Sequence, residues 1–479
     1  MRRRLRGAGR AGRWLPVAVA ALPLFFGGIA PVRADLLETP PRAQAQSHPR
    51  TLDLARAYRR MLLNAPELHA ARAARAAGRE AKDIARAGLL PRASVNYRRS
   101  RTRLAEEVTQ SGSPGERVTV KDAFSGRRTD VSIEQPLFDY SAISAYRMGR
   151  TQSEHAEVQY RLETQQVALG MIDIYLNAVL ARETLALARQ QLRVYEDMLR
   201  GNERMMAQGE GTRIDVLETR TQAGATRSGL LAQENELADR LRELSAIVGE
   251  PVEAAQLLGI DLEEARIPLG EADLDGLLSD ALRQNPELQA TRLAVKYNDL
   301  AVEREKGQFL AKVSVYAAHE RVASDTINNK GRDYKANTVG LSASLPLFSG
   351  GGSYYTVRQS RERLEQARHE LDHAVETART MLEKYFRVCA SSEERVRTLR
   401  QNVADSVGLV EAMRWSVAGG ERTNTDALHA ERQAYQARLE LLRTCVEWFQ
   451  AYAKMRFYAG RFSEEDVLAL NRQLAVEMR

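Results

Sequence analysis

No proline occurs between Pro136 and Pro251, or from Pro346 to Arg479. Proline removes a backbone donor and clashes with the preceding turn, so its absence over such spans permits helices far longer than an ordinary domain holds. The stretch from Ser141 to about Ala207 predicts one helix on the order of 100 Å long at 1.5 Å per residue. Its apolar positions are Val167, Met171, Ile174, Ala178, Ala181, Leu185, Ala188, Leu192, Tyr195 and Leu199, spaced alternately by four and three. That is a coiled-coil seam. Leu364, Ala367, Leu371, Ala374, Ala378, Met381, Tyr385 and Val388 alternate in the same way. The many alanines let neighbouring helices approach closely.

The chain also repeats itself. Asn64-Ala65-Pro66-Glu67-Leu68 is echoed by Asn285-Pro286-Glu287-Leu288, and the spacing that carries Pro66 onto Pro286 also carries Leu90 onto Leu310 and Val95 onto Val315. Further on, Gln135-Pro136-Leu137-Phe138-Asp139 matches Leu345-Pro346-Leu347-Phe348-Ser349. The segment beginning Gly209-Glu210-Gly211-Thr212 matches the one beginning Gly420-Glu421-Arg422-Thr423. A period of about 215 residues is too long for a solenoid unit and indicates a duplicated half-domain.

Each half inserts a strand texture between its helices. Alternation at Ala93, Val95 and Tyr97, then at Val131 and Ile133, predicts strands from Arg92 to about Val108 and from about Thr129 to Gln135. The loop Ser111-Gly112-Ser113-Pro114-Gly115 separates them. Val313 and Val315, then Val339, Leu341, Ala343 and Leu345, repeat the device around Asn328-Asn329-Lys330-Gly331. Four strands cannot close a barrel, and an open sheet in lipid leaves its edge groups without partners. Three copies would supply twelve strands, an even number in the outer-membrane range. The expected fold class is mainly α with a membrane β-barrel. It is a duplicated long-helix coiled-coil α-barrel plus four strands per chain, completed as a homotrimer.

Met1-Arg2-Arg3-Arg4-Leu5-Arg6, an apolar run from Trp14 to Ala30 and Val32-Arg33-Ala34 read as a secretory signal peptide over 1–34. An extended arm over 35–50 follows, then a first repeat over 51–260 with its hairpin at about 92–137. A second repeat over 261–460 holds a hairpin at about 312–347, and a tail covers 461–479. The leader holds seven arginines and no acid, which leaves 63 basic against 63 acidic residues. Net charge therefore gives no case for nucleic-acid binding or adhesion to anionic lipid. The only cysteines are Cys389 and Cys445, so no lipid anchor is expected after the leader, and both are expected as buried free thiols.

The two glycine turns join long helices. Gly209, Gly211 and Gly420 break one helix, Thr212 and Thr423 cap the next, and Asp215 and Asp426 fall in its first turn, where the helix dipole favours an anion. This is complete as helix-turn chemistry. The same turns would also form one end of a helical tube, with Asp215, Arg422 and Asp426 linking neighbours or lining an opening. His369-Glu370-Leu371-Asp372-His373 matches the zinc-protease pattern H-E-x-x-H. It lies within an unbroken helix with both histidines off the seam, so no metal, cofactor or enzyme activity is expected and a metallopeptidase is the remote alternative. Tyr97, Phe138, Tyr140, Tyr316, Phe348, Tyr354 and Tyr355 suit membrane interfaces as well as ordinary packing.

Together the proline boxes, the Leu89-Leu90-Pro91 entry to a strand, the Pro-Leu-Phe corners and the glycine-threonine-aspartate turns resemble the TolC family of outer-membrane export channels. The resemblance covers nearly all of the chain beyond the leader. It implies a trimeric barrel in the outer-membrane lipid and a tunnel across the periplasm. The tunnel would dock on a periplasmic adaptor and an inner-membrane ABC transporter or other pump, with the helix-tip turns at Gly209, Gly211, Thr212, Gly420 and Thr423 as the docking end. It also implies that Asp426 rings the closed mouth, with Arg422 and Asp215 as link residues. His429 and Val417 stand where family members carry an acid and a tyrosine. The unlipidated N-terminus resembles the type I secretion branch, which includes the exporter of adenylate cyclase toxin. Multidrug or small-molecule efflux is the alternative cargo class.

Overall fold

The computed structural model describes residues 51–109, 117–266, 273–326 and 329–474. The leader, the arm, the Ser111–Gly115 loop and Asn328 lie outside them.

The first repeat runs α1 (Leu54–Asn64), α2 (Pro66–Arg86), β1 (Arg92–Thr109), β2 (Arg117–Phe138), α3 (Tyr140–Gln208) and α4 (Arg213–Val248). The second runs α5 (Leu274–Gln284), α6 (Pro286–Lys306), β3 (Lys312–Thr326), β4 (Asn329–Ser344), α7 (Gly352–Ala418) and α8 (Asn424–Tyr458), and α9 (Glu464–Leu474) follows. α3 has 69 residues and α7 has 67. α1 starts at Leu54 because Asp53 is its cap, accepting from the Arg56 backbone N–H at 2.6 Å. Part of the stretch expected as a tail is helical. In α9, Val467, Leu470 and Leu474 are buried, and Asn471 Oδ1 accepts from the Ala55 backbone N–H at 3.3 Å.

The proline boxes tie each repeat to its own returning helix. Asn64 Nδ2 donates to the carbonyl of Val248, the last residue of α4 (2.7 Å), and Asn285 Nδ2 donates to that of Tyr458, the last residue of α8 (3.0 Å). Asn285 Oδ1 meanwhile accepts from the Glu287 N–H at 2.8 Å and caps α6. Each returning helix then turns through a left-handed glycine packed on that asparagine, Gly249 at φ 80° and Gly460 at φ 72°. A methyl group on Gly249 would lie 2.6 Å from Asn64 Cβ, and one on Gly460 would lie 2.5 Å from the Asn285 backbone nitrogen.

α3 and α4 form an antiparallel coiled coil. Val216, Ala223, Leu230, Leu237 and Leu244 are buried at seven-residue intervals. Along the flank, Arg220–Glu203 (2.8 Å), Arg227–Glu196 and Arg189–Glu234 (2.8 Å) repeat at the same interval on both helices. Exposed pairs of this kind contribute about 0–1 kcal/mol each, so their main effect is to favour one register. In α8 the buried row is Ala427, Ala430, Ala434, Ala437, Leu441, Thr444, Trp448, Ala451 and Met455, an unbroken three-four alternation. The α7 seam departs from expectation: Leu364, Ala367 and Ala378 are buried, but Leu371 and Ala374 are only half-buried, and the row shifts beyond Ala378. Leu382, Cys389 and Val396 are buried, whereas Met381, Tyr385 and Val388 are half-buried. α7 packs on both α6 and α8, and α6, with 21 residues against the 67 of α7, covers only part of it, so the inward row is not the same throughout.

The main core lies where α1, α5 and α9 meet the middle of the long helices, around Met171, Tyr175, Trp448 and Phe449. Tyr175 Oη donates to the Leu52 carbonyl there (2.9 Å). Cys389 and Cys445 are free and buried, and burial pushes their thiols up to about 12 and about 11. At those values they stay protonated and unreactive. Close helix approach at the other end uses small residues, with Gly149 against the Ala81 carbonyl and Gly78 against Ala156.

Gly460→Ala should cost roughly 1–3 kcal/mol through strain at a left-handed residue with no room for a methyl. Gly249→Ala should cost less, because the Asn64 side chain can move and a backbone nitrogen cannot. Thermal unfolding of the purified protein checks the order, and equal midpoints would contradict it.

Candidate functional site

The four strands form one antiparallel sheet in the order β1-β2-β3-β4, with β1 and β4 at its edges. β2 is longer than expected. It begins at Arg117 rather than near Thr129, because its upstream half pairs with β1 residue by residue from Thr109↔Arg117 to Arg92↔Glu134. Only Val118, Val120 and Phe124 alternate in that half, among many polar residues, and the pairing with β1 is what holds it as strand. Pro136 lies at a register shift between β2 and β3, where a missing donor is tolerated.

Register divides the sheet into two unlike faces. Val95, Tyr97, Val131, Ile133, Val315, Val339 and Leu341 share one face, and all but Val315 are exposed, Val339 at 79%. The other face is polar and internally bonded. Ser94 pairs with Ser132 (2.9 Å), Asn96 Nδ2 donates to Asp130 (2.9 Å), Arg128 is ion-paired with Glu320 (3.0 Å), and Tyr334 Oη donates to Glu320 (3.2 Å). Apolar-out and polar-in alternation is the pattern of a barrel that meets lipid outside and water inside. Tyr316 belongs to the polar face, over Gly340, whose missing side chain leaves space for the ring. Of its two expected roles, lipid interface or ordinary packing, the register supports packing. Phe348, Tyr354 and Tyr355 stand exposed where β4 gives way to α7.

At the far end of the long helices the two glycine turns have the same construction. Gly209 (φ 79°) ends α3, and the N–H groups of Glu210 and Gly211 donate to the Met205 carbonyl. Thr212 Oγ1 then accepts from the Asp215 N–H (3.2 Å), while Asp215 Oδ2 accepts from the Thr212 N–H (3.2 Å) and hydroxyl (2.6 Å). Gly420 (φ 75°), Thr423 and Asp426 repeat this at 3.3, 3.1 and 2.9 Å. The hydrogen bonds from Thr423, with the charges of Arg422 and His429 nearby, hold the Asp426 carboxyl below the usual aspartate value. Asp426 thus stays charged at neutral pH, half-buried at the helix tip.

The contacts that join the two turns within one subunit are not those expected of Asp215, Arg422 and Asp426. Both carboxylates bond within their own turns, and Arg422 acts on Asp426 through its charge. The joint is instead a buried amide-hydroxyl knot. Asn202 Nδ2 donates to Asn424 Oδ1 (3.0 Å) and Thr219 Oγ1 (2.9 Å). Asn424 Nδ2 donates to Thr219 Oγ1 (3.1 Å) and to the Asp215 carbonyl (3.4 Å). Thr219 is fully buried and Asn424 is 7% exposed. Thr425 Oγ1 adds a bond to Glu218 (2.7 Å). The sequence carries one signal of this knot, since Thr219 is a polar residue in seam spacing between Val216 and Ala223.

His369 and His373 point into solvent on α7, and the nearest acid to His369 is Asp372 at 3.9 Å on the same exposed face. Among the described residues no group of three His, Cys, Asp or Glu side chains is placed to hold a metal ion. The metallopeptidase alternative has no support in this geometry. No helix among them is long and apolar enough to cross a membrane.

The family described as outer membrane efflux protein matches residues 57–250 and 277–461. The alkaline protease secretion protein AprF of Pseudomonas aeruginosa is 33% identical over 416 residues, 87% of this chain and 86% of its own. The proteases secretion protein PrtF of Dickeya chrysanthemi is 31% identical over 420 residues, 88% of this chain and 90% of its own. Among solved structures, CusC superposes with a TM-score of 0.73 at 16% identity, covering 87% of this chain and 95% of that one. With duplicated helices, a two-faced sheet and twin capped turns matched along both repeats, the chain belongs to the outer membrane efflux protein family, the TolC family that its motifs resemble.

Proposed function

We propose that three copies of this chain form the outer-membrane conduit of a tripartite export system, and that its cargo is a protein secreted by the type I route. The observation that carries the reading is the sheet. One face is apolar, the other is polar, and β1 and β4 each leave an edge that no other strand among the described residues pairs, so another copy would complete it. Three sheets joined edge to edge give twelve strands with the polar faces around a lumen. The α3–α4 and α7–α8 hairpins continue that lumen as a tunnel into the periplasm. Similarity to two relatives named for protease secretion, along most of both chains, supports protein cargo over small molecules.

The working end is the pair of capped turns. Gly209, Gly211, Thr212, Gly420 and Thr423 shape the surface offered to a periplasmic adaptor, which is itself coupled to an ABC transporter or other pump in the inner membrane. Three copies of Asp426 would converge on the tunnel mouth, with Arg422 and Asp215 of adjoining tips as link residues. A ring of fixed carboxylates at a constriction attracts cations. Opening requires an adaptor that binds the splayed tips better than the closed ones.

Deleting the gene should abolish appearance of the cognate protein in the medium and leave drug sensitivity unchanged. Intact secretion with raised drug sensitivity would select the efflux alternative. In planar bilayers, Asp426→Asn keeps an acceptor for the Thr423 cap and removes the charge, so cation preference should fall while the channel still inserts. Because the Thr423 hydrogen bonds favour the charged form of Asp426, the parent's preference should persist as pH falls further than it would with uncapped aspartates at the mouth. Unchanged selectivity in the variant would remove Asp426 from the gate.

A further inference from the structure

Above the apolar band, on that same face of the sheet, stands a row of cations. Strand register puts Arg99, Arg101 and Arg103 of β1, Arg127 of β2, Arg321 of β3 and Lys335 of β4 on the side that carries Val95, Tyr97, Val131, Ile133, Val339 and Leu341. Arg99 lies opposite Arg127, and Arg321 lies opposite Lys335. Like charges directly across a ladder destabilise a sheet unless something else neutralises them. All six are exposed, and none has a hydrogen-bond or ion-pair partner among the described residues. Asp333 is the one acid on this face among the strand residues whose side chains are described. On the polar face Arg98 likewise lies opposite Arg128, but there Arg128 is ion-paired with Glu320.

The position of the row is fixed by the chain path. The helices join the sheet at Arg92, Phe138, Lys312 and Ser344, and the hairpin ends lie at the opposite margin. The cations fall between the apolar band and those ends. Given the proposed function, on which this inference rests, the helices lie in the periplasm and the row therefore meets the outer leaflet at head-group depth.

We propose that this row is a docking belt for the phosphate groups of anionic glycolipid in the outer leaflet. The chemistry fits on two counts. Guanidinium groups bind phosphate through paired N–H donors, and an adjoining apolar band receives the acyl chains of the same molecule. The belt runs across all four strands, so in a closed barrel it would continue around the whole girth. Bound phosphates would neutralise the Arg99–Arg127 and Arg321–Lys335 pairs and so stabilise the sheet that binds them.

The test uses full-length purified protein in neutral detergent, titrated with lipid A carrying both phosphates and with the dephosphorylated molecule. Binding is read by native mass spectrometry and by thermal midpoint. The expected result is selective binding and a raised midpoint with the phosphorylated form. Both should weaken by at least about ten-fold in affinity when Arg99, Arg127, Arg321 and Lys335 are all changed to Gln. Arg128→Gln, on the opposite face, should leave lipid A binding as in the parent. Equal affinity for the two lipids, or undiminished selectivity in the fourfold variant, would overturn the belt. If the fourfold variant does not assemble, the parent's response to the two lipids decides alone. Channel conductance in bilayers keeps the outcomes apart: a conducting protein indifferent to lipid phosphate refutes the belt only, and a protein that forms no channel refutes the function on which it rests.

Discussion

Two strand edges govern the molecule. β1 and β4 each present a row of backbone N–H and C=O groups that no described part of the same chain pairs, and in hydrocarbon each such group costs several kcal/mol. A four-stranded sheet with an apolar face therefore has no stable place in lipid on its own. The remaining architecture follows from supplying partners for those edges. The chain is duplicated, so each half carries one hairpin. The hairpins pair side by side through β2 and β3, which leaves one edge at each end of the sheet free for a neighbour. Long helices then extend the same wall away from the membrane.

Charge is distributed by face rather than by total. Beyond the leader the numbers of acids and bases balance, and that balance removes any case for an anionic partner if charge is averaged over the chain. Strand period two undoes the average. It places Arg99, Arg127, Arg321 and Lys335 with the apolar residues and sends Arg128, Asp130, Glu320 and Glu134 to the other side. The helix tips show a similar economy. Asp215 and Asp426 complete capping boxes, so the carboxylates that would ring an opening are also the groups that terminate the helices cleanly.

Much of the architecture is legible in the sequence because it depends on periodicity and on proline. Seam spacing in α3 and the proline-free spans give the long helices. The shared proline boxes give the duplication, which in the structure extends from Leu54 and Leu274 through Arg92 and Lys312. What was not legible depends on partners. The upstream half of β2 carries only Val118, Val120 and Phe124 among polar residues, and its pairing with β1 extends the strand. The α7 seam shifts from Met381 and Tyr385 to Leu382 and Cys389 because α6 covers only part of α7. The joint between the turns falls to Asn202, Thr219 and Asn424, whose short polar side chains carry no signature until three helices bring them together. By contrast the capping boxes were readable, since a threonine and an aspartate three residues apart bond locally.

The most direct test of the central claim is the mass of the purified protein in detergent, measured by native mass spectrometry after lipid is stripped. Three copies in one assembly is the result this account predicts. A stable single subunit that stays dispersed without detergent would mean that β1 and β4 need no neighbour, and would contradict it.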